Sequence, residues 1–364
     1  MTTIKQIFER FGDQYQNRYG DKMPKVHQKT IESIVNCRSG HYGLTIYQCI
    51  ACGKYHHVHR CCGNRHCPNC QYQKSRQWLD KQLNRRLCGH HFMITFTVPE
   101  QLRTFVRSHQ RIGYAALFAA SSQTLKKLAA DEKYIGGDLP GFLGVLHTWG
   151  RQLQYHPHIH YIVPGGALSK KDQLWHPSQR AFFLPVKAIS KIFAAKFRDQ
   201  IINAGLYELI DSDIWQMDWV VNCQAVGCST ASLKYLSAYV FKVAISDSRI
   251  AKVENGQVFF RYRKPKSKRY RTICLDAAEF IRRFLQHVLP TGFMKIRYYG
   301  FLSPNCSVPL EKINALIQLA FGFTLKQPLK QPEPLFQPTC SHCGGLLKYL
   351  ASLLPYQMAP QGSG

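Results

Sequence analysis

Acidic residues are scarce in this sequence: 21 Asp and Glu stand against 48 Lys and Arg, and the formal net charge is +27. In a soluble protein such an excess most often serves a polyanionic partner, so nucleic acid is the leading candidate. Long apolar runs are missing too, and no stretch of about 18 residues could span a bilayer. Residues 1–16 lack the basic and then apolar order of a signal peptide. We expect a cytoplasmic protein, with binding to a membrane surface as the competing interpretation of the charge.

Two other absences narrow the function. No Gly-rich phosphate loop ends in Lys-Ser or Lys-Thr, so we expect no nucleotide-driven motor, and strand separation would need another protein. No internal repeat is visible either. The chain has enough apolar residues, 45% of 364, to bury a sizeable core in two or three units.

Composition changes twice along the chain, which predicts three domains in an α+β fold. Residues 1–88 combine short apolar pieces, Gly turns and clustered Cys and His, as in a small module held together by metal. Residues 89–300 carry strand and helix patterns. Residues 301–364 contain a helical segment, a Pro-rich linker at 327–338 and a terminal Cys-Ser-His-Cys knuckle.

Four segments of the middle domain carry clear secondary-structure signals. Phe92–Val98 is a β-branched and aromatic run, which predicts a buried strand. Phe142–Trp149 and His158–Val163 predict two strands joined as a hairpin. An amphipathic helix is predicted over 186–204, followed by a strand over Ile214–Ala225.

Half of the 14 cysteines lie between Cys37 and Cys70. In a reducing compartment such crowding favours metal ligation over disulfides. Cys49 and Cys52 form one Cys-x-x-Cys pair, and Cys67 forms another with Cys70 after 14 intervening residues. This spacing is typical of a four-cysteine structural zinc site, so we predict one zinc ion bound by these two pairs.

A second zinc site could use ligands that the first leaves over. The best candidates are Cys37, Cys62 and His66. Near the C-terminus, Cys340 and Cys343 form only half a site. They would have to borrow further ligands or bind no metal; the nearest candidates in sequence are His342 and Cys306.

Three histidines on the predicted hairpin could meet. Alternate side chains of a strand share a face, so His158 and His160 point the same way. His147 lies on the preceding strand, where the hairpin could bring it beside them. Three imidazoles with open coordination positions suit a divalent ion that is held against a phosphate. The alternative is a core histidine bonded to backbone, and His156 is a candidate for a flanking phosphate contact.

A tyrosine pair follows on a predicted helix. Tyr235 and Tyr239 are four residues apart and so share one face, while Leu233, Leu236 and Val240 supply an apolar side. Such a pair is most often packing. Beside a histidine metal site in a basic chain it becomes a candidate pair of nucleophiles, because the ion would polarise a phosphate towards the phenolic oxygen.

A basic run interleaved with aromatic residues and free of acids spans Phe259–Arg271. Cations can follow phosphates while rings stack on exposed bases, so this mixture favours single-stranded nucleic acid. The alternative is a solvated basic β-ribbon. The predicted DNA-binding residues, with one lysine from the tyrosine helix, are Arg261, Tyr262, Arg263, Lys264, Lys266, Lys268, Arg269, Arg271 and Lys242.

Several specific motifs occur in one order along the chain. They are Cys62–Cys70, Leu146–Gly150, His156–His160, Tyr235–Tyr239 followed by Ala244–Ile250, and Arg297–Leu302. In these motifs the chain resembles the rolling-circle transposases of the insertion sequence 91 type, over most of its length. One departure lies at Arg38–Thr45, which leaves Cys37 and His41 open as ligands.

The resemblance implies a zinc-binding DNA-recognition domain followed by a histidine-hydrophobe-histidine (HUH) nuclease domain with a central antiparallel sheet flanked by helices. It implies that His158 and His160 bind Mg²⁺ or Mn²⁺ and that Tyr235 and Tyr239 are the nucleophiles. Family members recognise hairpin-bearing element ends as single strands. They leave a 5′-phosphotyrosine and a 3′-hydroxyl, so the cut can be reversed without ATP.

We therefore predict a DNA transposase that cleaves and rejoins single-stranded DNA at insertion-sequence ends in the bacterial cytoplasm, associated with the nucleoid. Its expected partners are the single-stranded or hairpin ends, target DNA, a host helicase and further copies of the chain. One alternative is a plasmid rolling-circle replication initiator or relaxase, with the same chemistry and no integration. A second is a non-enzymatic zinc-finger DNA-binding protein whose histidines and tyrosines are structural.

Overall fold

The structure, a computed structural model, describes residues 2–85, 87–228, 230, 233–234, 240, 244–264, 267, 269–322 and 337–355. Helices α1 to α8 span, in order, Ile4–Tyr19, Lys25–Val35, Pro68–Asn84, Arg103–Ser108, Gln110–Ala130, Val186–Asn203, Ala277–Leu285 and Leu310–Phe321. Strands β1 to β13 span Leu44–Cys49, Tyr55–His59, His90–Thr97, Phe142–Trp149, Tyr155–Pro164, Gly166–Leu168, Trp175–Pro177, Val221–Cys228, Ile250–Glu254, Gln257–Arg263, Tyr270–Asp276, Ile296–Tyr299 and Leu347–Leu353. Thr230, Leu233, Lys234 and Val240 are also helical.

A five-stranded sheet forms the centre of the molecule, with the order β12-β4-β5-β3-β8. Every neighbouring pair in it is antiparallel. Strands β4 and β5 are consecutive in the chain and form the predicted hairpin. The predicted α+β class with a central antiparallel sheet is confirmed.

One face of this sheet packs against helices α5 and α6. Phe96 of β3 pairs with Ile159 of β5, and both side chains enter this layer. Phe96 meets Phe193 of α6 edge-on, with 4.9 Å between ring centroids. The buried hydroxyl of Tyr161 bonds Ser121 of α5 at 2.8 Å. The largest apolar core of the described residues therefore lies on this side.

The opposite face carries the three histidines of the predicted metal site. Directly paired residues of neighbouring strands share a face, so the pairs His147–His158 and Val145–His160 place all three imidazoles together. The same face contributes to a second apolar cluster, made of Trp78, Leu143, Val145, Ile162, Leu233 and Val240. Helix α3 and the helical residues after β8 therefore cover the histidine face beside the imidazoles.

The N-terminal helices share a core with a distant part of the chain. Phe8 of α1 meets Phe284 of α7 at 5.1 Å between ring centroids, and Phe260 of β10 belongs to the same cluster. The backbone N–H of Ile4 also donates to the carboxylate of Asp247, 2.7 Å away. The segment 1–88 is thus joined to residues 244–288 by a common core.

The C-terminal strand completes a small sheet with the order β13-β1-β2. Leu347 lies opposite Cys49, and Leu353 lies opposite Leu44. The segment 337–355 therefore packs on the N-terminal module. Residues 323–336, which include most of the predicted linker, lie outside the described residues.

The strand predicted over Ile214–Ala225 starts later than expected. Ser212–Trp215 forms a 3₁₀ turn, because the Asp211 carboxylate accepts a hydrogen bond from the N–H of Asp213 and caps it. Strand β8 begins only at Val221. The helix predicted over 186–204 is confirmed as α6. Within the described parts of the chain, we find no helix with the length and apolarity to cross a membrane.

Candidate active site and metal centres

The three histidines of β4 and β5 converge at one point of the central sheet. Their ring centroids are 4.8 Å apart for His147 and His160, 4.8 Å for His158 and His160, and 5.4 Å for His147 and His158. One ring nitrogen from each lies within 4.8 Å of the others. The structure therefore brings together all three predicted ligands, His147 included.

Hydrogen bonds orient two of these imidazoles. The Nδ1–H of His158 donates to the backbone carbonyl of His156 at 2.7 Å, which leaves Nε2 as the ligand atom. Nδ1 of His160 bonds the Thr95 hydroxyl at 2.8 Å. Hydrogen bonds of this kind fix the tautomer and ring angle of metal-ligating histidines.

Burial keeps His158 and His160 neutral. Desolvation lowers the pKa of His160 to about 4, and it lowers the pKa of His158 well below its ordinary value, helped by the neighbouring His160. Neutral imidazoles are the form that binds a metal, so these two residues can act as ligands at pH 7 without first losing a proton.

The donor set fits a divalent cation with open coordination positions. Three imidazole nitrogens come from a rigid hairpin, and no carboxylate joins the group among the described residues. The ring of Trp149 stacks on His147, at 4.8 Å and 24° between the planes, and so supports one ligand from behind. Imidazole ligands suit Mn²⁺ better than Mg²⁺, which prefers oxygen.

Tyr235 and Tyr239 lie outside the described residues. Leu233 and Val240, which flank them in the sequence, are described and buried. Both pack on the histidine face of the central sheet. The chain on either side of the two tyrosines is therefore anchored on the same face as the imidazoles.

The cysteines group differently from the prediction. Cys49 and Cys52 do not join Cys67 and Cys70; they meet the two cysteines of the C-terminal knuckle instead. The Sγ atoms of Cys49 and Cys343 are 3.4 Å apart, and those of Cys52 and Cys340 are 3.7 Å apart. The physical reason is the pairing of β13 with β1, which carries the knuckle to the end of β1.

Cys67 and Cys70 complete a separate cluster with Cys37 and Cys62. The Sγ of Cys70 lies 3.7 Å from that of Cys37 and 3.5 Å from that of Cys62. His66, predicted as a ligand here, is not part of it, because its Nε2 accepts the backbone N–H of Leu289 at 3.3 Å.

The other open candidates also lie outside these groups. His41 is exposed and packs edge-on against Tyr42, so it is not a ligand of either cluster. Neither His342 nor Cys306 belongs to the group formed by Cys49, Cys52, Cys340 and Cys343. Cys37, which was left open, does take part.

Both cysteine clusters have the dimensions of a tetrahedral zinc site. Four thiolates at about 2.3 Å from one ion lie roughly 3.8 Å apart, close to the distances found here. The N–H of Cys52 bonds the Cys49 sulfur and lowers the pKa of that thiol to about 7. The neighbouring Cys62, together with burial, raises the pKa of Cys67, so a thiolate there needs a cation beside it.

The basic run lies on a β-ribbon in which β10 and β11 form an antiparallel pair. Val258 and Phe260 face the core, whereas Arg261 and Arg263 are exposed on the outer side. The guanidinium of Arg263 lies over the ring of Tyr270, at 5.0 Å. The other described members of the predicted set are Tyr262, which is half-buried, and Lys264, Arg269 and Arg271, which are exposed. Lys242, Lys266 and Lys268 lie outside the described residues.

His156, predicted as a phosphate contact, is half-buried at the start of β5. Its ring centroid is 5.0 Å from that of His158. Burial lowers its pKa, and the guanidinium of Arg103 acts in the same direction. It therefore lies next to the histidine cluster with a cation nearby.

Two residues of the site were not predicted, although the sequence carried a signal for each. Thr95 is a polar residue between Ile94 and Phe96 in an otherwise apolar strand, which indicates a position on the opposite face. Trp149 is two residues from His147, the spacing that alternation places on one face, and its ring stacks on that imidazole although the strand register shifts between the two residues. Alternation in the sequence would have suggested both.

Two family profiles and two known proteins match the chain. A family profile described as "Putative transposase" matches residues 141–308, and one described as "Transposase zinc-binding domain" matches residues 7–98. The chain is 32% identical over 319 residues to "Putative transposase y4qJ" of Sinorhizobium fredii (strain NBRC 101917 / NGR234), covering 82% of this chain and 80% of that protein. It is 25% identical over 361 residues to "Transposase for insertion sequence element IS801" of Pseudomonas savastanoi pv. phaseolicola, covering 90% and 84%. No solved structure matches the chain.

Proposed function

The chain belongs to the insertion sequence 91 type family of transposases, and from that membership we propose that it cleaves and rejoins single-stranded DNA at the ends of an insertion sequence. The bond that carries the strand would join a DNA 5′-phosphate to a tyrosine. The element would then move by a rolling-circle or single-strand route.

The observation that carries this proposal is the shared face of the central sheet. The imidazoles of His147, His158 and His160 converge there. Leu233 and Val240, on either side of Tyr235–Tyr239 in the sequence, pack on the same face. A phosphate held at the imidazoles would thus lie next to the segment that carries two phenols.

The chemical step can be written with the chain's own groups. The phenolic oxygen of Tyr235 or Tyr239 attacks phosphorus, a new P–O bond forms, and the bond to the 3′-oxygen breaks. The 3′-oxygen leaves and takes up a proton, while the phenol loses one. The reverse attack by a 3′-hydroxyl rejoins the strand. A divalent ion bound by the three imidazoles would polarise the phosphate and neutralise developing charge.

We assign Mn²⁺ or Mg²⁺ to the histidine cluster, and the all-imidazole donor set favours Mn²⁺. Zinc fits both cysteine clusters, whose role we take to be structural. The exposed basic face of β10–β11 would hold the strand, and His156 would contact a flanking phosphate. The partners would be single-stranded or hairpin ends and target DNA in the cytoplasm, with a helicase and further copies of the chain.

A covalent adduct tests the proposal. Single-stranded DNA from an element end, incubated with the protein and Mn²⁺, should give a protein–DNA adduct that survives denaturation. The double variant Tyr235→Phe/Tyr239→Phe should give none, whereas the control Tyr19→Phe, at an exposed residue of α1, should behave like wild type. An adduct in the double variant would overturn the assignment of the nucleophiles.

The same assay separates the alternatives. A replication initiator or relaxase would form the adduct but would not join the strand to a target molecule. A zinc-finger DNA-binding protein would bind duplex DNA and form no adduct. Addition of an unlabelled target strand, followed by detection of the joined product, therefore distinguishes all three.

A further inference from the structure

A pocket opens beside the histidine cluster, between the zinc-binding segment and the edge of the central sheet. It is a small cleft that is partly open to solvent. Its polar and aromatic lining consists of Arg65, His66, Thr148, Trp149, His287 and Lys295. The cleavage step proposed above makes no use of this pocket.

The pocket is built by parts of the chain that are distant in sequence. Arg65 and His66 come from the loop before α3. Lys295 directly precedes β12, and its carbonyl accepts the backbone N–H of Leu146 on β4. Trp149 forms a wall, and the same ring stacks on His147. Trp149 is therefore shared by the wall of the pocket and by the histidine cluster, whereas Thr148, which also lines the pocket, alternates with His147 on β4.

Two cations face this pocket without an acid to balance them. No Asp or Glu lines it, and neither Arg65 nor Lys295 makes an ion pair or a side-chain hydrogen bond with any described residue. Burial lowers the pKa of Lys295 to about 7, and repulsion by Arg65 adds to the effect. An anion between them would relieve both the cost of burial and the repulsion.

A third donor points to the same chemistry. Nε2 of His66 accepts the N–H of Leu289 at 3.3 Å, so the ring hydrogen sits on Nδ1. Thr148 and His287 bond each other at 3.2 Å, and His287 also donates to the carbonyl of Leu153. These two residues are satisfied and form a fixed wall, while Arg65, Lys295 and His66 supply donors.

We propose that this pocket binds a phosphate group of the single-stranded DNA next to the phosphate held at the histidine cluster. The inference rests on the proposed function, which places a DNA strand on the histidine face. A guanidinium can bond two phosphate oxygens at once, and an ammonium adds a point charge. Binding there fixes the position of the DNA along the site, because the zinc-binding segment then holds the phosphate adjacent to the phosphate at which the DNA is cleaved.

Salt dependence of DNA binding tests the site. Each phosphate neutralised on a single strand contributes about 0.7 to the slope of log K against log salt. Arg65→Gln and Lys295→Gln should each weaken binding of end-derived single-stranded DNA about tenfold, and each should lower that slope by at most about 0.7, the value for loss of the whole phosphate contact. Lys171→Gln, an exposed lysine in the turn before β7, is the matched control and should change neither quantity.

Lys295→Arg keeps the charge and should retain most of the affinity. Zinc content and melting temperature establish that each variant is folded. Loss of one charge should not lower the melting temperature of Lys295→Gln, because it removes the repulsion with Arg65. If Lys295→Gln and Lys171→Gln bind with equal affinity and equal slope, the pocket is not a phosphate site.

A neutral methylphosphonate placed at each phosphate in turn locates the contact. Wild type should lose affinity at one position adjacent to the cleaved bond, and Lys295→Gln should be insensitive at that position. If wild type loses no more affinity at one position than at the others, the pocket is not a phosphate site, even if the adduct forms. If wild type shows the loss at one position but forms no adduct, the phosphate site is supported and the proposed cleavage chemistry is wrong.

Discussion

At the scale of single residues, the histidine cluster depends on a few hydrogen bonds inside a sheet. The carbonyl of His156 and the hydroxyl of Thr95 hold two imidazoles in fixed orientations. The ring of Trp149 packs against the third. Because these ligands are already oriented, little free energy is lost to reorganisation when a cation and a phosphate bind. More of the binding free energy can then stabilise the transition state.

A single substitution separates the roles of the cluster and the basic surface. His158→Ala removes one ligand, and we expect cleavage to fall at least a hundredfold, since loss of even an outer partner costs about 10–100-fold in metal affinity or activity. Affinity for single-stranded DNA should change less than about twofold, because the basic surface sets it. Adduct yield and fluorescence anisotropy measure the two quantities.

His176→Ala is the matched control. His176 lies on β7, outside the histidine cluster, and bonds Asp172, so its loss should leave cleavage near wild type. Should His158→Ala lose DNA binding together with cleavage, the cluster would have a structural role.

Local spacing predicted the histidines but not the partners of the cysteines. His158 and His160 are two residues apart on one strand, and His147 arrives through a hairpin, so strand alternation was sufficient. Cys52 meets Cys340, which lies 288 residues away. Two knuckles with the right spacing suit one zinc ion, and the spacing contains no information about a third knuckle at the far end of the chain.

At the scale of elements, the ribbon of β10 and β11 has two distinct sides. Val258 and Phe260 are buried against α7, which fixes the ribbon on the core. Arg261 and Arg263 alternate with them and so point outwards. The ribbon presents its charges on a supported surface instead of a loose loop, which suits a groove that follows a strand.

The ribbon makes a prediction that differs from the pocket's. Arg261→Gln/Arg263→Gln should lower the slope of log K against log salt by about 1.4, as expected for two phosphate contacts on a single strand. Adduct yield at saturating DNA should remain near wild type, because the variant changes binding and leaves the chemistry alone.

Lys252→Gln is the control, because Lys252 lies on β9, which pairs with β10 in the same three-stranded sheet. Its ammonium already pairs with Glu254 at 2.5 Å, so its removal should hardly change the slope. An unchanged slope for the double arginine variant would remove the ribbon from the DNA-binding surface.

Elements with strong periodicity were predictable, and those defined by capping or long-range pairing were not. The hairpin and α6 follow directly from alternation and amphipathicity. The start of β8 shifted because the Asp211 carboxylate caps a turn, which propensity over Ile214–Ala225 does not reveal. Strand β13 pairs with β1, which lies about 300 residues earlier in the sequence. Nothing in the sequence of such a short strand indicates which strand it pairs with.

At the scale of the whole molecule, the N-terminal helix and the C-terminal strand are each held on the fold by a different means. The first helix packs on α7 through Phe8 and Phe284, inside an apolar core. The last strand is held on β1 by backbone pairing, and four cysteines stand at the end of that pair. The β13-β1-β2 sheet has few buried residues, so a metal ion would supply most of its stability.

The two clusters should therefore bind two zinc ions of unequal importance. We expect metal analysis to give two per chain in wild type and one in Cys340→Ser/Cys343→Ser, with two retained in the control Cys306→Ser. Loss of the C-terminal ion should free residues 337–355 to proteolysis, because about 10 kcal/mol of binding energy no longer holds them. The melting temperature of the main transition should change little, since this cluster touches only the small sheet.

Cys67→Ser/Cys70→Ser should behave differently. Cys37, Cys67 and Cys70 are buried in the core that joins α1 and α2 to α7, so loss of their ion opens a buried site and should abolish the main folding transition. A single zinc in wild type, or equal destabilisation by the two double variants, would contradict the expectation that the Cys67 and Cys70 cluster stabilises the core and the Cys340 and Cys343 cluster only the C-terminal strand. The order of loss during titration with a chelator gives an independent measure, because the C-terminal thiols are the more exposed and should release their zinc first.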